Sequence, residues 1–355
     1  MKTSVALCTY NGEKYVEKQL YSLLNQSRRP DEIVICDDCS KDKTIELAKA
    51  VLEKCDINYR LVKNETNLGF AKNFKKCLSL CDGDIIFLCD QDDIWREDKV
   101  ETISDIMKSN SQILSITTNF RLVDVNGEFI GKNTLGDNPW FNKKKREIDY
   151  TDGNLYKVSI DTFFYRNIAP GCTQAVRKNI VEEYINREVS GPHDWELSKL
   201  ATIKNGAFYL DLPLTYYRHH ANQTIGVPGY ALYKIQGERK KMLRAWYGIF
   251  KEFIYLFFFS DKDVFPEYSS RINSKYISDN LETIRQSGKE NLQKCEKYLI
   301  RGENRTILYN KGKFAKRFKA FIKQGRYNKY FLSGYACIER INTRMTDLLV
   351  LLKRK

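Results

Sequence analysis

A chain of 355 residues is longer than one small core needs and points to one large domain with an appendage, or to two domains. Hydrophobic residues at 42% and charged residues at 29% exclude a disordered or membrane-embedded chain. The net charge of +14 is lopsided: from Arg301 to Lys355 fifteen Lys/Arg meet three acids, so a near-neutral body carries a basic tail.

The start, MKTSVALCTYNG, has one lysine and a brief apolar stretch, without the apolar core and cleavage site of a secretory signal. The ten cysteines therefore read as reduced thiols rather than a disulfide framework. Cys36-x-x-Cys39 with Cys77-x3-Cys81 has zinc-like spacing, but both pairs fall at element ends that a different pattern explains better. No apolar run reaches membrane-spanning length; the nearest, Phe250 to Phe259, contains Lys251 and Glu252 and suits a core or interfacial helix.

Along the chain, Ser4 to Thr9 reads as a buried strand and Val16 to Leu24 as a helix, with Val16, Leu20, Leu23 and Leu24 on one face. Glu32 to Cys36 is a second strand, Thr44 to Leu52 a helix, Tyr59 to Val62 a third strand and Ala71 to Leu80 a helix. Ile85 to Cys89 is a fourth strand. This alternation predicts βαβ units on a mainly parallel sheet, with ligands held beyond the carboxyl ends of the strands. From Asn119 to Gly171 the periodicity weakens into strands and loops. A strand over Gly171 to Val176, a helix through Glu188, a helix containing Trp195 to Leu200 and a strand over Phe208 to Leu212 follow. The composition turns basic and aromatic after Gly226-Val227-Pro228, which sets a domain boundary there: residues 1–228 form the first domain and 229–355 a helical, basic extension.

The polar segments TYNG, DDCS, NLG and DQDD each follow a strand and should converge on one crevice. Neither a GxGxxG nor a Walker A loop is present. The crevice offers acids instead. Asp90 and Asp92 can hold a hard divalent cation, Mg²⁺ or Mn²⁺, through oxygen. The same spacing suits capping of a short helix by Asp92 or Asp93.

Thr9-Tyr10-Asn11-Gly12, Asp37-Asp38-Cys39-Ser40, NLGFAKNF and CDQDDIWREDKV, in this order and spacing, resemble the nucleotide-sugar half of family 2 glycosyltransferases with the GT-A fold. The DQDDxW form is most similar to bacterial rhamnosyltransferase-type members. The resemblance implies that Thr9, Tyr10 and Asn11 line the nucleotide pocket, that Asp38 meets the pyrimidine base and that Lys72 lies near the donor. It implies that Asp90 and Gln91 face the donor and that Asp92 binds the cation bridging its diphosphate, which leaves Asp93 as a helix cap. Gly191-Pro192-His193-Asp194-Trp195 stands where the family carries its acidic catalytic motif, with Asp194 as general base and His193 in place of the customary acid. YRHHANQTIG resembles a segment whose members meet the diphosphate or cation, here Arg218 and His220, the latter as a metal ligand. Gly171-Cys172-Thr173-Gln174 is similar to a loop beside the acceptor.

The activity so implied is inverting, metal-dependent transfer of a sugar, rhamnose favoured, from a dTDP- or UDP-sugar to a saccharide or lipid-linked acceptor in bacterial surface polysaccharide synthesis. A catalytically silent nucleotide-sugar-binding scaffold of the same fold is the alternative. In the tail, Phe314, Phe318, Phe321 and Ile322 fall on one helical face among Lys316, Arg317, Lys319 and Lys323. That pattern suits an anionic membrane surface, ahead of packing on the catalytic domain and of nucleic acid. A cytoplasmic protein, peripheral on the inner face of the cell membrane, is the matching expectation.

Overall fold

The structure is a computed structural model that describes residues 1–130, 150–152, 155–160, 167–168, 170–188, 191–220, 223, 276–309, 318–320 and 322. The apolar stretch at 250–259 and most of the basic helix expected over 314–323 lie outside these residues. Two compact units divide the chain: Met1–His219 with Leu281–Cys295 fall in one, and the other begins at His220.

The first unit is built on β1 (Thr3–Thr9), β2 (Glu32–Asp37), β3 (Asn58–Lys63) and β4 (Ile85–Asp90). Strand β1 pairs parallel with both β2 and β4, and β2 parallel with β3. Parallel neighbours need a crossover. The crossovers are α1 (Val16–Leu24), α2 (Thr44–Leu52) and α3 (Phe70–Ser79). All seven residues of β1 are buried, as a strand covered on both faces requires. Helix α1 buries Val16, Leu20, Leu23 and Leu24, the face its spacing predicts.

Beyond β4 the sheet becomes mixed. The chain adds β5 (Ile94–Trp95), α4 (Lys99–Ser109), β6 (Ser115–Val123), β7 (Tyr150–Asp152) and β8 (Leu155–Lys157). A 3-10 turn at Gly171–Thr173 leads into β9 (Gln174–Arg177), followed by α5 (Lys178–Ile185), α6 (His193–Ile203) and β10 (Ala207–Arg218). The sheet order is β3-β2-β1-β4-β9-β6-β10-β8-β7, with β5 on β10. Strand β9 runs antiparallel between β4 and β6, and β6 is parallel to β10. The carboxyl ends of β4, β6 and β10 therefore share one edge with that of β1. The strand expected from Gly171 begins three residues later, because Thr173 N–H bonds back to Pro170 and closes a tight turn. Strand β10 extends well past the expected Leu212. Its register slips around Pro213 and then resumes, since proline supplies no ladder donor there.

Helices α7 (Leu281–Gln286) and α8 (Lys289–Tyr309) follow. Asn205, just after α6, donates to Ser287 O at 2.8 Å and accepts from Asn291 at 2.9 Å. Among the described residues the cysteines form no disulfide. Among the described residues, no helix is long and apolar enough to cross a membrane.

Candidate active site

Four loops at the carboxyl ends of β1, β2 and β4 and ahead of α3 are tied to one another by side chain to main chain bonds. Asp37, fully buried, accepts from Thr9 Oγ1 at 2.8 Å and from Ser40 N–H at 2.8 Å. Asn11 N–H donates to Ser40 Oγ at 2.8 Å, and Asn11 Oδ1 accepts from Lys41 N–H. Asp38 accepts from Asn64 Nδ2, Leu68 N–H and Gly69 N–H at 2.7–2.9 Å. Both of its oxygens thus shape the NLG loop, and α3 starts from that loop with Lys72 exposed in its first turn. Gln91 clamps the Tyr10 peptide: Oε1 accepts from its N–H at 2.7 Å, and Nε2 donates to its carbonyl at 2.9 Å. The Tyr10 ring itself is exposed.

The carboxylates converge at the end of β4. Burial pushes Asp90 well above the usual carboxylate range, with the charges of Asp93, Asp92 and Asp194 adding to the effect. Asp93 is fully buried and pushed up to about 7, first by burial and then by Asp92. Its Oδ1 accepts from Arg218 N–H at 3.0 Å, and the Cys172 thiol lies beside the carboxylate. The helix-capping role expected for Asp93 is overturned. The two-residue β5 follows it directly, and α4 begins only at Lys99 behind Asp98. Ligand atoms of Asp90, Asp93 and Cys172 lie within 4.8 Å of one another. Burial holds the Cys172 thiol protonated, and a soft neutral sulfur does not suit Mg²⁺ or Mn²⁺. The carboxylate oxygens do fit: crowded, desolvated carboxylates favour a hard cation among them.

Arg218 is fully buried. Its Nε donates to Asp92 O at 2.6 Å and its Nη1 to Asp124 O and Val125 O at 3.2 and 2.8 Å. It holds the acidic loop to the turn after β6. His220 begins the second unit, where its N–H donates to Gln223 Oε1.

Asp194 lies in the first turn of α6, whose cap position is Pro192. Burial raises its carboxyl to about 6, against the N–H of Trp195 and the side-chain amide of Asn167, which both donate to it. The Gly171 turn packs on it; a Cβ there would lie 3.1 Å from Asp194 Cβ and 3.3 Å from His193 Nε2. His193 is buried, stacks on Phe74 at 3.7 Å between ring centroids, and is pushed down to about 3 by burial.

Two residues to which the sequence reading gave no role complete the arrangement. Lys99, fully buried, donates to Cys172 O at 2.6 Å and Thr215 Oγ1 at 3.0 Å and lies over the Trp95 ring. Burial pulls it down to about 8, while the charges of Asp93 and Asp90 act to hold its proton. A lysine four residues past a tryptophan in the same acidic segment was its available signal. Asn167, by contrast, sits in a stretch of weak periodicity and carried none.

A mixed sheet whose first four strands are parallel, an acidic strand-end loop and a separate half-buried carboxylate at a helix start make up an α/β architecture of the GT-A kind. Residues 4–169 match the model of Glycosyl transferase family 2. The dTDP-rhamnosyl transferase RfbG of Shigella flexneri is 28% identical over 259 residues, 68% of this chain and 80% of its own. The putative teichuronic acid biosynthesis glycosyltransferase TuaG of Bacillus subtilis is 35% identical over 114 residues, 32% of this chain and 45% of its own. Among solved structures, S. aureus TarS 1-349 in complex with UDP-GlcNAc superposes with a TM-score of 0.53 at 18% identity, over 93% of this chain and 81% of that one. The GT-A fold expected from the sequence is thus the fold of the chain.

Proposed function

We propose that the protein transfers a sugar from a nucleotide-diphosphate donor to a hydroxyl of a saccharide or lipid-linked saccharide in bacterial surface polysaccharide synthesis, with inversion at the anomeric carbon. One observation carries this reading: Asp194, raised to about 6, lies near enough to the acidic loop for its charge to act on Asp90. A carboxylate with a pKa just below neutrality is ionised at working pH and still basic enough to take a proton. Asp194 removes the proton from the acceptor hydroxyl as its oxygen attacks the anomeric carbon. The bond to the donor diphosphate breaks from the opposite face, and its electron pair leaves with the phosphate oxygen.

Asp90 and Asp92, with Asp93 behind them, would hold the divalent cation; when bound it neutralises charge growing on the diphosphate. Thr9, Tyr10, Asn11 and Asp38 would receive the nucleotide, with Lys72 and Arg218 on the phosphate side. Rhamnose from dTDP-rhamnose is the favoured donor sugar, supported by the DQDDIW segment and by the resemblance to RfbG. Phe318 and Ile322, four residues apart and about half exposed beside Lys319, support peripheral attachment to an anionic membrane surface.

The test is turnover of dTDP-rhamnose, UDP-glucose and UDP-GlcNAc with and without Mn²⁺. Metal-dependent release of nucleotide from dTDP-rhamnose, lost in Asp194→Asn, is expected. Tight nucleotide binding without turnover of any donor would instead favour the silent scaffold.

A further inference from the structure

With Asp194 as the base of the proposed transfer, we infer that His193 is a positioning residue, an uncharged aromatic plate that links the donor loop to the Asp194 carboxylate, and not a proton carrier.

The contacts around its ring carry this. The imidazole is only 5% exposed, and neither Nδ1 nor Nε2 has a hydrogen-bond partner among the described residues. A histidine that moves protons needs a donor or acceptor at one nitrogen and a route to solvent at the other. His193 has neither. Instead it lies nearly parallel to Phe74, 16° between planes, and meets the edge of Phe70 at 6.3 Å. Stacked aromatic pairs gain beyond their buried area and are strict about geometry. On the other side, the Gly171 turn approaches both His193 Nε2 and Asp194 so closely that a single added carbon would press on the two together. The turn is held in place by Lys99 through Cys172 O. His193 and Asp194 are therefore wedged as one unit between α3 and the turn.

The α3 side of this wedge is the donor side. Helix α3 starts at Phe70, directly after Gly69, whose N–H is held by Asp38 at the end of β2. Phe74 lies one turn further along, beside Asn73, which donates to Cys36 O in β2. Whatever fixes the NLG loop fixes Phe70 and Phe74, and through them the plate next to the base. A small shift of the base relative to the acceptor hydroxyl is enough to cost a large factor in rate. An apolar ring of similar shape should do the same job.

The experiment compares His193→Phe, His193→Ala and Phe74→Leu with the wild type and Asp194→Asn, using dTDP-rhamnose and UDP-glucose as donors and calorimetric affinity for dTDP with Mn²⁺. His193→Phe should keep kcat within about twofold of the wild type. His193→Ala should lose roughly ten- to a hundredfold in kcat with dTDP affinity unchanged within about twofold. Phe74→Leu, the milder removal of the stack, should show the same split and decides the matter if His193→Ala does not fold. A folded His193→Phe as inactive as His193→Ala would overturn the inference, because the ring nitrogens would then be needed. Unchanged kcat in His193→Ala or Phe74→Leu would also overturn it, leaving the ring as core filling. If Asp194→Asn keeps full activity, or the wild type turns over neither donor, the proposed function fails first and this inference with it.

Discussion

The proposed donor half of the crevice, β1 to β4 with their loops, and the proposed acceptor half, β6 to β10 with α5 and α6, are built on different principles. In the proposed donor half every loop follows a parallel strand, and several anchors come from the next strand or loop along the chain: Thr9 to Asp37, Asp38 to Leu68 and Gly69. In the proposed acceptor half the strands are mixed, and the surroundings of the proposed base come from distant pieces. Asn167 reaches Asp194, Phe74 reaches His193 and Lys99 reaches Cys172. Sequence motifs can record the first kind of site because one loop is one motif. They record the second kind poorly, because its parts share no stretch of chain.

The sharpest way to break this contrast is to remove the base. Asp194→Asn should lower kcat by about 10²–10⁴, the range for a general base, with nucleotide affinity unchanged. A loss confined to donor KM would place Asp194 in the donor half. The wild-type rate should rise with pH and level off above about 6, as the Asp194 carboxyl ionises. A profile flat from pH 5 to 7 would remove Asp194 from the proton transfer. Next in size, chelation by EDTA, or Asp90→Asn, should cost on the order of a hundredfold in turnover and be followed by Mn²⁺ titration. Full activity in EDTA would separate the acidic loop from any cation.

The same contrast explains what was legible. Helices α1 and α2 match their predicted limits because their apolar spacing is decided within nine residues each. Asp93 was misread because capping is a local pattern. What decides its role is Arg218, 125 positions away, whose N–H it accepts across β10. Lys99 stands in an acidic segment, and only the fold shows it buried against Trp95 and the Gly171 turn. The 3-10 start of the strand expected at Gly171 depends on one hydrogen bond to Pro170, which no periodicity encodes.

Within the donor half, Gly12→Ala probes the clamp between loops. A Cβ at Gly12 would lie 2.1 Å from Gln91 Oε1, so the amide must swing away and lose both bonds to Tyr10. Each such bond contributes about 0.5–1.5 kcal/mol. A few degrees lower Tm and a severalfold higher donor KM, with kcat nearly unchanged, are expected. An equal fall in kcat would mean that the two halves are coupled through Tyr10 as well as through His193.

The smallest effect comes from Asn167→Ala. The Asn167 amide donates to Asp194 and so favours its ionised form. Losing that donor while Asp194 stays half-buried raises the carboxyl further, so the acid limb of the rate profile should move up by less than about one pH unit. At pH 6 the rate then falls a fewfold, while at pH 8 it is unchanged because Asp194 is ionised in both proteins. The competing outcome is physical as well: water entering the space left by the amide can donate in its place and lower the desolvation, which leaves the limb where it was or moves it down. An upward shift therefore identifies the dry, protein-built environment as what tunes the base. An unmoved limb would mean that the acceptor half, like the donor half, depends on its nearest chain neighbours, here the Trp195 N–H, and that Asn167 is dispensable.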